Sequence, residues 1–251
     1  SLAYLTLALQ LDCNGLIVGN TGSGKTTTLN ALIGTFAENE RLILIEETPE
    51  LQITHPHHVR LIPNPEAHMD MARLIRETLR MRPDRVIVGE IRFPEEARAF
   101  MESILAGQGK GTLATFHGHS GAEAIARLHA FGILHQDIAW ISMIVVQRRW
   151  TEYDAHGKPH DVRGVCEIVE LFFDPQNGLT LRRIFGMDPE SGKLIQENES
   201  ILVRDRFSRS FPGREWNKEW NKRIRECVEE NLNHENQPRV EHLGKVAAKK
   251  N

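Results

Sequence analysis

A glycine-rich stretch at residues 19–26 has the residue types and the spacing of a phosphate-binding loop. It follows the pattern G-x-x-x-x-G-K-S/T, in which glycines let consecutive backbone N–H groups point at phosphate oxygens. Lys25 is placed to reach the β- and γ-phosphates of a nucleotide, and Thr26 to offer its hydroxyl to Mg²⁺. ATP and Mg²⁺ are therefore the expected ligands. The predicted nucleotide-binding residues are Gly19, Asn20, Thr21, Gly22, Ser23, Gly24, Lys25, Thr26 and Thr27.

The residues around this loop predict the strand and the helix that it requires. Residues 15–18 form a short apolar run, which is typical of a buried strand, and residues 26–33 are expected to form the helix that the loop opens. Further apolar runs alternate with predicted helices, and this alternation indicates an α/β fold with a mainly parallel sheet flanked by helices. The predicted strands are 41–45, 85–89 and 111–116, and the helices are 69–81, 94–106 and 120–131.

A polar group follows each of these strands. Glu46 and Glu47 follow the second strand, Glu90 the third and His117 the fourth. Because ligands of such sheets bind at the carboxyl ends of the strands, we expect these groups to meet the phosphate-binding loop in one site.

The pattern changes after residue 140. Runs at 141–149, 162–173 and 179–185 follow one another with turn signals between them, which predicts antiparallel strands. Residues 51–68 are expected to be loop with at most short strands, and 216–231 to be a helix of a charged tail that ends in disorder around residues 249–251. We predict a core at about 14–150, an antiparallel appendage at about 151–206 and a tail at 207–251.

The composition narrows the class of protein. The chain has 251 residues, is 40% hydrophobic and has a formal net charge of −3, which disfavours a protein that mainly coats nucleic acid. Cys13, Cys166 and Cys227 form no C-x-x-C pair, so we expect reduced thiols in a cytosolic protein. The apolar stretch 138–146 is too short to span a bilayer, and no signal peptide is visible.

Three further segments resemble the motifs of one family. Residues 44–51 resemble its acidic box, residues 79–92 its Walker B segment and residues 111–117 its histidine box. With the phosphate-binding loop, they make the chain similar over about residues 14–185 to the type II/IV secretion ATPase superfamily. This superfamily contains the motors of type II secretion, type IV pili, type IV secretion and archaella. The sequence Thr-Pro-Glu-Leu-Gln at 48–52 looks more like the archaeal and type IV secretion branches.

The resemblance implies a RecA-like ATPase domain over residues 1–206, with the charged tail after it. It further implies a homo-hexameric ring in the cytoplasm, peripheral to the membrane, at the cytoplasmic face of a membrane-embedded platform protein. An N-terminal domain normally precedes this region in the family. Because the chain opens at Ser1 almost directly in a predicted helix, we expect it to be a domain of something longer.

The resemblance also suggests roles for the acidic residues. Glu90 would polarise the attacking water or hold it beside Mg²⁺. In the alternative interpretation it has no catalytic role and is a surface residue at the end of a strand. Glu46 and Glu47 would point to opposite faces if the strand continued, so at most one of them is expected to reach the site, and family position favours Glu46. Glu47 stands where the family usually has Asp.

The basic candidates have open alternatives. His117 is expected to sense the γ-phosphate, although His117 and His119 together could also hold a metal. Arg76, Arg80 or Arg82 could contact the nucleotide of a neighbouring subunit as an arginine finger. They could instead form salt bridges with Glu77 or the tail. A basic run is expected to be a solvated linker rather than a contact for a partner or nucleic acid. Its members are Arg204, Arg206, Arg209 and Arg214.

Two other functions compete with a secretion motor. A hexameric P-loop translocase or helicase acting on DNA has a related ring, so nucleic acid is a possible but not favoured partner. A nucleotide-dependent binding protein would have the same loop but would hydrolyse ATP too slowly to act as a motor.

Overall fold

A single mixed sheet organises the chain. The structure, a computed structural model, describes residues 2–107 and 109–235, with side chains as far as residue 226. Within these described residues, nine strands form the sheet in the order β3-β2-β4-β5-β1-β6-β7-β8-β9. They are β1 Gly15–Gly19, β2 Leu42–Ile45, β3 His58–Leu61, β4 Arg85–Ile91, β5 Thr112–Phe116, β6 Met143–Tyr153, β7 Pro159–Asp174, β8 Gly178–Met187 and β9 Leu194–Gln196.

The direction of the strands changes once across the sheet. Every pair from β3 to β6 is parallel, and the pairs from β6 to β9 are antiparallel. The predicted α/β class with C-terminal antiparallel strands is therefore confirmed. The predicted boundary between core and appendage at 150/151 falls inside β6, which belongs to both halves of the sheet. The division into domains stays a prediction.

Helices cover both faces of the sheet. Among the described residues they are α1 Leu2–Gln10, α2 Lys25–Ile33, α3 Met71–Glu77, α4 Pro94–Leu105, α5 Gly121–Ala130, α6 His135–Ile138, α7 Ile201–Ser210 and α8 Trp216–Glu235. One buried cluster packs α3, α4 and α5 on the sheet, and a second packs α1, α2 and α7 on the opposite face. The strands between them are apolar on both faces, as parallel strands between two helical layers must be.

Local sequence explains where the helices near the site begin. Pro94 occupies the first turn of α4, where its missing N–H removes no helical bond, and Glu96 accepts hydrogen bonds from the backbone N–H groups of Arg92 and Phe93. Ser120 caps α5 by accepting a hydrogen bond from the Glu123 N–H at 3.1 Å. These caps fix the loops that follow β4 and β5.

The segment 201–210 is a helix and not a linker. In α7, Val203 and Phe207 are buried against the sheet, one helical turn apart. The carboxylate of Glu170 on β7 is fully buried and accepts hydrogen bonds from the backbone N–H groups of Ile201 and Leu202 at 3.2 and 3.3 Å. It also accepts hydrogen bonds from the hydroxyls of Ser200 and of Tyr4 on α1.

The prediction that the basic run is a solvated linker is therefore wrong for Arg206. Arg206 donates hydrogen bonds to the carbonyls of Leu11 and Asp12 and to the hydroxyl of Ser142. Arg204 and Arg209 are exposed on the same helix.

The start of the tail packs on this helix. Trp216 meets Phe207 with ring centroids 5.5 Å apart and stacks on Trp220 at 5.4 Å. The predicted disorder around residues 249–251 and the side chain of Cys227 lie outside the described residues. Cys13 is buried and Cys166 is half-buried, and both are free thiols.

Candidate active site

The phosphate-binding loop lies between β1 and α2. Gly24 has a φ of 96°, in the left-handed region that favours glycine, and α2 begins at the next residue. A Cβ on Gly19 would lie 2.4 Å from the Ser23 hydroxyl and 2.5 Å from the carbonyl oxygen of Gln147 on β6. Only glycine fits this close approach of the loop to β6.

Lys25 is folded back against its own loop. Its Nζ donates to the carbonyl oxygens of Gly19 at 3.1 Å and Asn20 at 3.4 Å, and its side chain is only 8% exposed. Burial lowers the pKa of Lys25, and the carboxylates of Glu90 and Glu50 oppose this shift. A buried ammonium with two neutral acceptors would gain from an anion, so the loop is suited to phosphate.

Glu90 is turned toward Lys25 by an irregularity in β4. The register of β4 and β5 shifts between Val88 and Ile91, and the Thr115 hydroxyl donates to the Gly89 carbonyl at 2.6 Å. A bulge of this kind changes the direction of the side chains after it. The Glu90 Oε1 consequently lies 4.0 Å from Lys25 Nζ.

Two further basic groups contact the same carboxylate. The Glu90 Oε1 is 3.0 Å from His117 Nε2, and its Oε2 accepts a hydrogen bond from Arg92 Nε at 2.6 Å. The Arg92 guanidinium also pairs with Glu47, and its hydrogen bond with Glu90 raises the pKa of Arg92. Glu90 is therefore held in position from three sides.

His117 is fixed through its backbone as well as its ring. Its carbonyl accepts a hydrogen bond from Arg127 on α5 at 2.5 Å, and the Arg127 guanidinium stacks on the Phe116 ring. Burial lowers the pKa of His117, the positive charge of Lys25 lowers it further, and Glu90 opposes both. The ring is thus neutral at pH 7 and can donate from Nε2 to the Glu90 carboxylate.

The hydrogen bonds of His119 to other described residues all involve its backbone: its N–H donates to Glu123 and its carbonyl accepts from Arg148. Among the residues that the structure describes, no group of three or more His, Cys, Asp or Glu could hold a metal ion by itself.

Glu46 and Glu47 both line the site, so the expectation that at most one would reach it is wrong. The alternation of side chains between the two faces of the sheet stops before Glu46, because β2 ends at Ile45. Glu46 is 2% exposed, accepts hydrogen bonds from the N–H groups of Glu50 and Leu51 at 2.9 Å, and lies 3.1 Å from Arg60 Nε. Glu47 is 58% exposed and pairs with Arg92.

Sequence reasoning missed Glu50. Its carboxylate accepts a hydrogen bond from the Thr26 hydroxyl at 3.2 Å, which places a second carboxylate beside the predicted magnesium ligand. The only signal in the sequence is its place in the acidic run 46–50. The loop anchored by Glu46 brings it to Thr26.

The structure does not bring Arg76 and Arg80 to this site. Arg76 on α3 pairs with Glu102 on α4 at 2.7 Å, rather than with Glu77 or the tail. Arg80 is exposed at the end of a short 3-10 helix at 78–80. The arginines that line the site are Arg92 and Arg163. A role of Arg76 or Arg80 toward a neighbouring subunit stays a prediction.

These groups surround one cavity of about 660 Å³, within the size range of ligand pockets. Of the predicted nucleotide-binding residues, Thr21 to Thr27 line it, whereas Gly19 and Asn20 do not. Glu46, Glu47, Glu50, Glu90 and His117 line it as well. The buried hydroxyl of Ser23 has no hydrogen-bond partner among the described residues. Phosphate oxygens would supply the acceptor that this loop lacks.

Comparison with protein families identifies the chain. Residues 2–196 match the family model described as type II/IV secretion system protein. The chain belongs to this family. The resemblance of the four motifs is thereby confirmed.

Two relatives show how much of a whole protein the chain covers. The type IV secretion system protein VirB11 of Bartonella quintana is 32% identical over 201 residues, which are 73% of this chain and 52% of that protein. An uncharacterized Methanocaldococcus jannaschii protein, MJ0900, is 30% identical over 83% of this chain and 38% of its own length. The chain therefore spans about half or less of the length of these relatives.

A solved structure of the secretion family has the same fold. The crystal structure of the VirB11 ATPase from the Brucella suis type IV secretion system, in complex with sulphate, superposes with a TM-score of 0.55. It is 28% identical, and the match covers 70% of this chain and 52% of that one.

Within the described part of this secretion-family chain, no helix has both the length and the apolarity to cross a bilayer.

The oxygen groups at the site also fit Mg²⁺. Mg²⁺ is usually bound through one or two carboxylates or hydroxyls together with substrate phosphates, rather than by a cage made wholly of protein. Thr26 and Glu90 offer such ligands at the cavity, with Glu50 beside Thr26.

Proposed function

We propose that this chain is the ATP-hydrolysing motor domain of a secretion, pilus or archaellum assembly system. The observation that carries the proposal is the phosphate-binding lysine, Lys25, 4.0 Å from Glu90 in a cavity that also holds His117. Membership of the secretion family and the likeness to a VirB11 ATPase support it.

In the proposed reaction the loop binds and orients the phosphates. The backbone N–H groups of residues 22–26 and the Lys25 ammonium hold the phosphate chain, which neutralises charge that develops during phosphoryl transfer. Thr26 and Glu90 would hold Mg²⁺, which would supply neutralisation of the phosphate charge.

Glu90 polarises the attacking water, and its neighbours set its orientation. Arg92 and His117 fix both of its oxygens, so that the carboxylate is already directed into the cavity before substrate binds. Glu46 has a positioning role, since it holds the loop that brings Glu50 to Thr26. His117, linked to α5 through Arg127, couples the state of the site to movement of that helix.

For the assembled protein we propose a homo-hexameric ring in the cytoplasm, at the cytoplasmic face of a membrane-embedded platform protein. Arg76 or Arg80 would act toward the neighbouring subunit. A DNA translocase is not favoured, because the net charge of −3 gives no general attraction for a polyanion and the two VirB11 proteins named above belong to type IV secretion systems.

Two substitutions test the assignment of the site together. Lys25→Ala should abolish ATP binding, because the phosphates lose their principal cation. Glu90→Gln should retain Mg·ATP but lose turnover by about 10²-fold or more, because the amide keeps the shape and loses the charge that accepts a proton. Binding is measured by calorimetry and turnover by phosphate release.

Lys193→Ala and Glu190→Gln are matched controls, since each removes the same charge from the exposed turn before β9. A folded Lys25→Ala protein that hydrolyses ATP at the parent rate would rule out the phosphate-binding role of the loop. Normal turnover in Glu90→Gln would move the catalytic role to Glu46, Glu47 or Glu50.

A further inference from the structure

A two-stranded ribbon stands directly beside the phosphate-binding loop. The pairing of β1 with β6 ends at Gly19 and Gln147, and beyond that point β6 pairs only with β7 among the described residues. We call residues 148–153 and 159–165 the ribbon. Arg149 at its base donates a backbone hydrogen bond to the Asn20 side chain at 3.2 Å. The ribbon is thereby attached to the loop.

The ribbon carries two arginines directly opposite each other. Arg149 and Arg163 are paired in the antiparallel register, so their side chains lie on the same face. Like charges at directly opposite positions destabilise a pair of strands. Such a pair needs a carboxylate nearby or a ligand that compensates both charges.

Of these two arginines, only Arg149 has a carboxylate partner among the described residues. The Arg149 guanidinium contacts Asp161 on the same ribbon. Its Nη1 also lies 3.3 Å from the place where a Cβ on Gly22 would stand, so this side chain covers the phosphate-binding loop. For the exposed Arg163, the described residues offer no carboxylate within 4.0 Å and no side-chain hydrogen bond.

Arg163 lines the same cavity as the phosphate-binding loop. The other two cations there, Lys25 and Arg92, each have a carboxylate within 4.0 Å. Arg163 is therefore the one cation lining this cavity for which the described residues offer no carboxylate within 4.0 Å. A guanidinium presents paired N–H donors that match phosphate oxygens, and an uncompensated cation gains from an anion that binds beside it.

We propose that Arg163 is a nucleotide-binding residue that contacts the phosphate chain from the ribbon, together with Lys25. The inference rests on the proposed function, because it takes the ligand of the cavity to be ATP. It adds a contact supplied by the antiparallel half of the sheet to a site otherwise built from the parallel half. In the nucleotide-bound protein, the phosphates relieve the repulsion between Arg149 and Arg163.

Arg163→Gln is the direct test. We expect the Kd for Mg·ATP, measured by calorimetry, to rise about tenfold, in line with the loss of one charge-assisted hydrogen bond. We expect Tm without nucleotide to stay the same or rise, because the substitution also removes the repulsion with Arg149. Arg163→Lys keeps the charge without the paired donors, so its Kd should lie between those of the parent and Arg163→Gln.

Arg209→Gln is the matched control, since it removes the same charge from the exposed side of α7. An unchanged Kd in Arg163→Gln would overturn the proposal, as would equal weakening in Arg209→Gln. A fall in Tm that accompanies the weaker binding would also overturn it, since Arg163 would then be structural. Lys25→Ala distinguishes failure of this proposal from failure of the proposed function. If Lys25→Ala loses ATP binding while Arg163→Gln binds ATP normally, only the role of Arg163 is rejected.

Discussion

At the scale of single residues, the site consists of charges held in position before any ligand is present. Glu90 has contacts to groups from three elements: Lys25 at the start of α2, Arg92 just after β4 and His117 just after β5. Lys25 itself is bound to two backbone carbonyls. A phosphate entering the loop offers this ammonium charged acceptors in place of the carbonyls, so binding changes the partners of Lys25 while Glu90 stays fixed.

The lowered pKa of His117 predicts a dependence of stability on pH. Its cause is burial, then the charge of Lys25, so the folded protein binds a proton at His117 less readily than the unfolded chain does. As the pH falls below about 6.5, the unfolded chain takes up a proton at His117 before the folded protein does. The free energy of unfolding therefore falls with pH. The Tm of the parent should fall relative to that of His117→Gln between pH 7 and pH 5.

Differential scanning calorimetry of the two proteins across this range is the measurement. His156→Gln, in the exposed turn at the tip of the ribbon, is the control and should follow the parent. If His117→Gln followed the parent equally closely, His117 would have no preference for its neutral form in the folded protein.

The residues of the site differ in how far the sequence could predict them. The loop, Glu90 and His117 each follow an apolar run, and the carboxyl ends of parallel strands share one edge, so their meeting in one cavity followed from pattern alone. Glu50 and Arg163 could not be predicted in this way. Glu50 reaches Thr26 only because Glu46 folds the loop back, and Arg163 depends on the register of two strands beyond the parallel sheet.

At the scale of elements, one buried carboxylate joins three of them. Glu170 on β7 is hydrogen-bonded to the first turn of α7 and to Tyr4 on α1. Its negative charge lies at the N-terminal end of α7, where the helix dipole stabilises it. The second helical layer is thus attached to the sheet through a polar contact as well as through apolar packing.

Glu170→Ala should lower the free energy of unfolding by about 3 kcal/mol, because it leaves several buried donors without an acceptor. Urea denaturation with an unchanged m-value is the measurement. Glu190→Ala, in an exposed turn, should change the stability by less than about 0.5 kcal/mol.

A double-mutant cycle with Tyr4→Phe tests whether the contact is direct. Tyr4→Phe should cost less in the Glu170→Ala background than in the parent, since the acceptor of its hydroxyl is then already gone. Additive effects would mean that Glu170 acts without Tyr4.

Two elements that the sequence patterns did not place share a physical cause. The strand β3 is four residues long and partly exposed, so it shows no apolar run among the prolines and histidines of 51–68. In α7, the charged residues hide the pair Val203 and Phe207, which face the sheet. Short, partly exposed elements give a weak periodic signal, and packing decides their structure.

At the scale of the whole molecule, the cavity lies at the carboxyl edge of the parallel strands, where a neighbouring subunit could complete it. We therefore predict that specific ATPase activity rises with protein concentration as subunits associate. Arg80→Ala should lower this activity without weakening nucleotide binding. Arg76→Ala should have the same effect, although it also breaks the pair with Glu102.

Turnover measured across a concentration series, with sedimentation on the same samples, tests the prediction. Glu102→Ala separates the two roles of Arg76, because it breaks the same pair and leaves the arginine in place. A strictly linear rate from a species that stays monomeric would show that the site needs no second subunit.

The central place of β1 in the sheet also has a consequence for synthesis of the protein on the ribosome. Its two neighbours are β5 and β6, and 128 residues separate Asn14, just before β1, from Ser142, just before β6. At a usual elongation rate these residues take about 10 s to make, and during that time one edge of a wholly apolar strand has no native partner. Among the described strands, the one that carries the nucleotide loop is therefore the strand that waits longest for a native partner in a nascent chain and is longest exposed to mispairing.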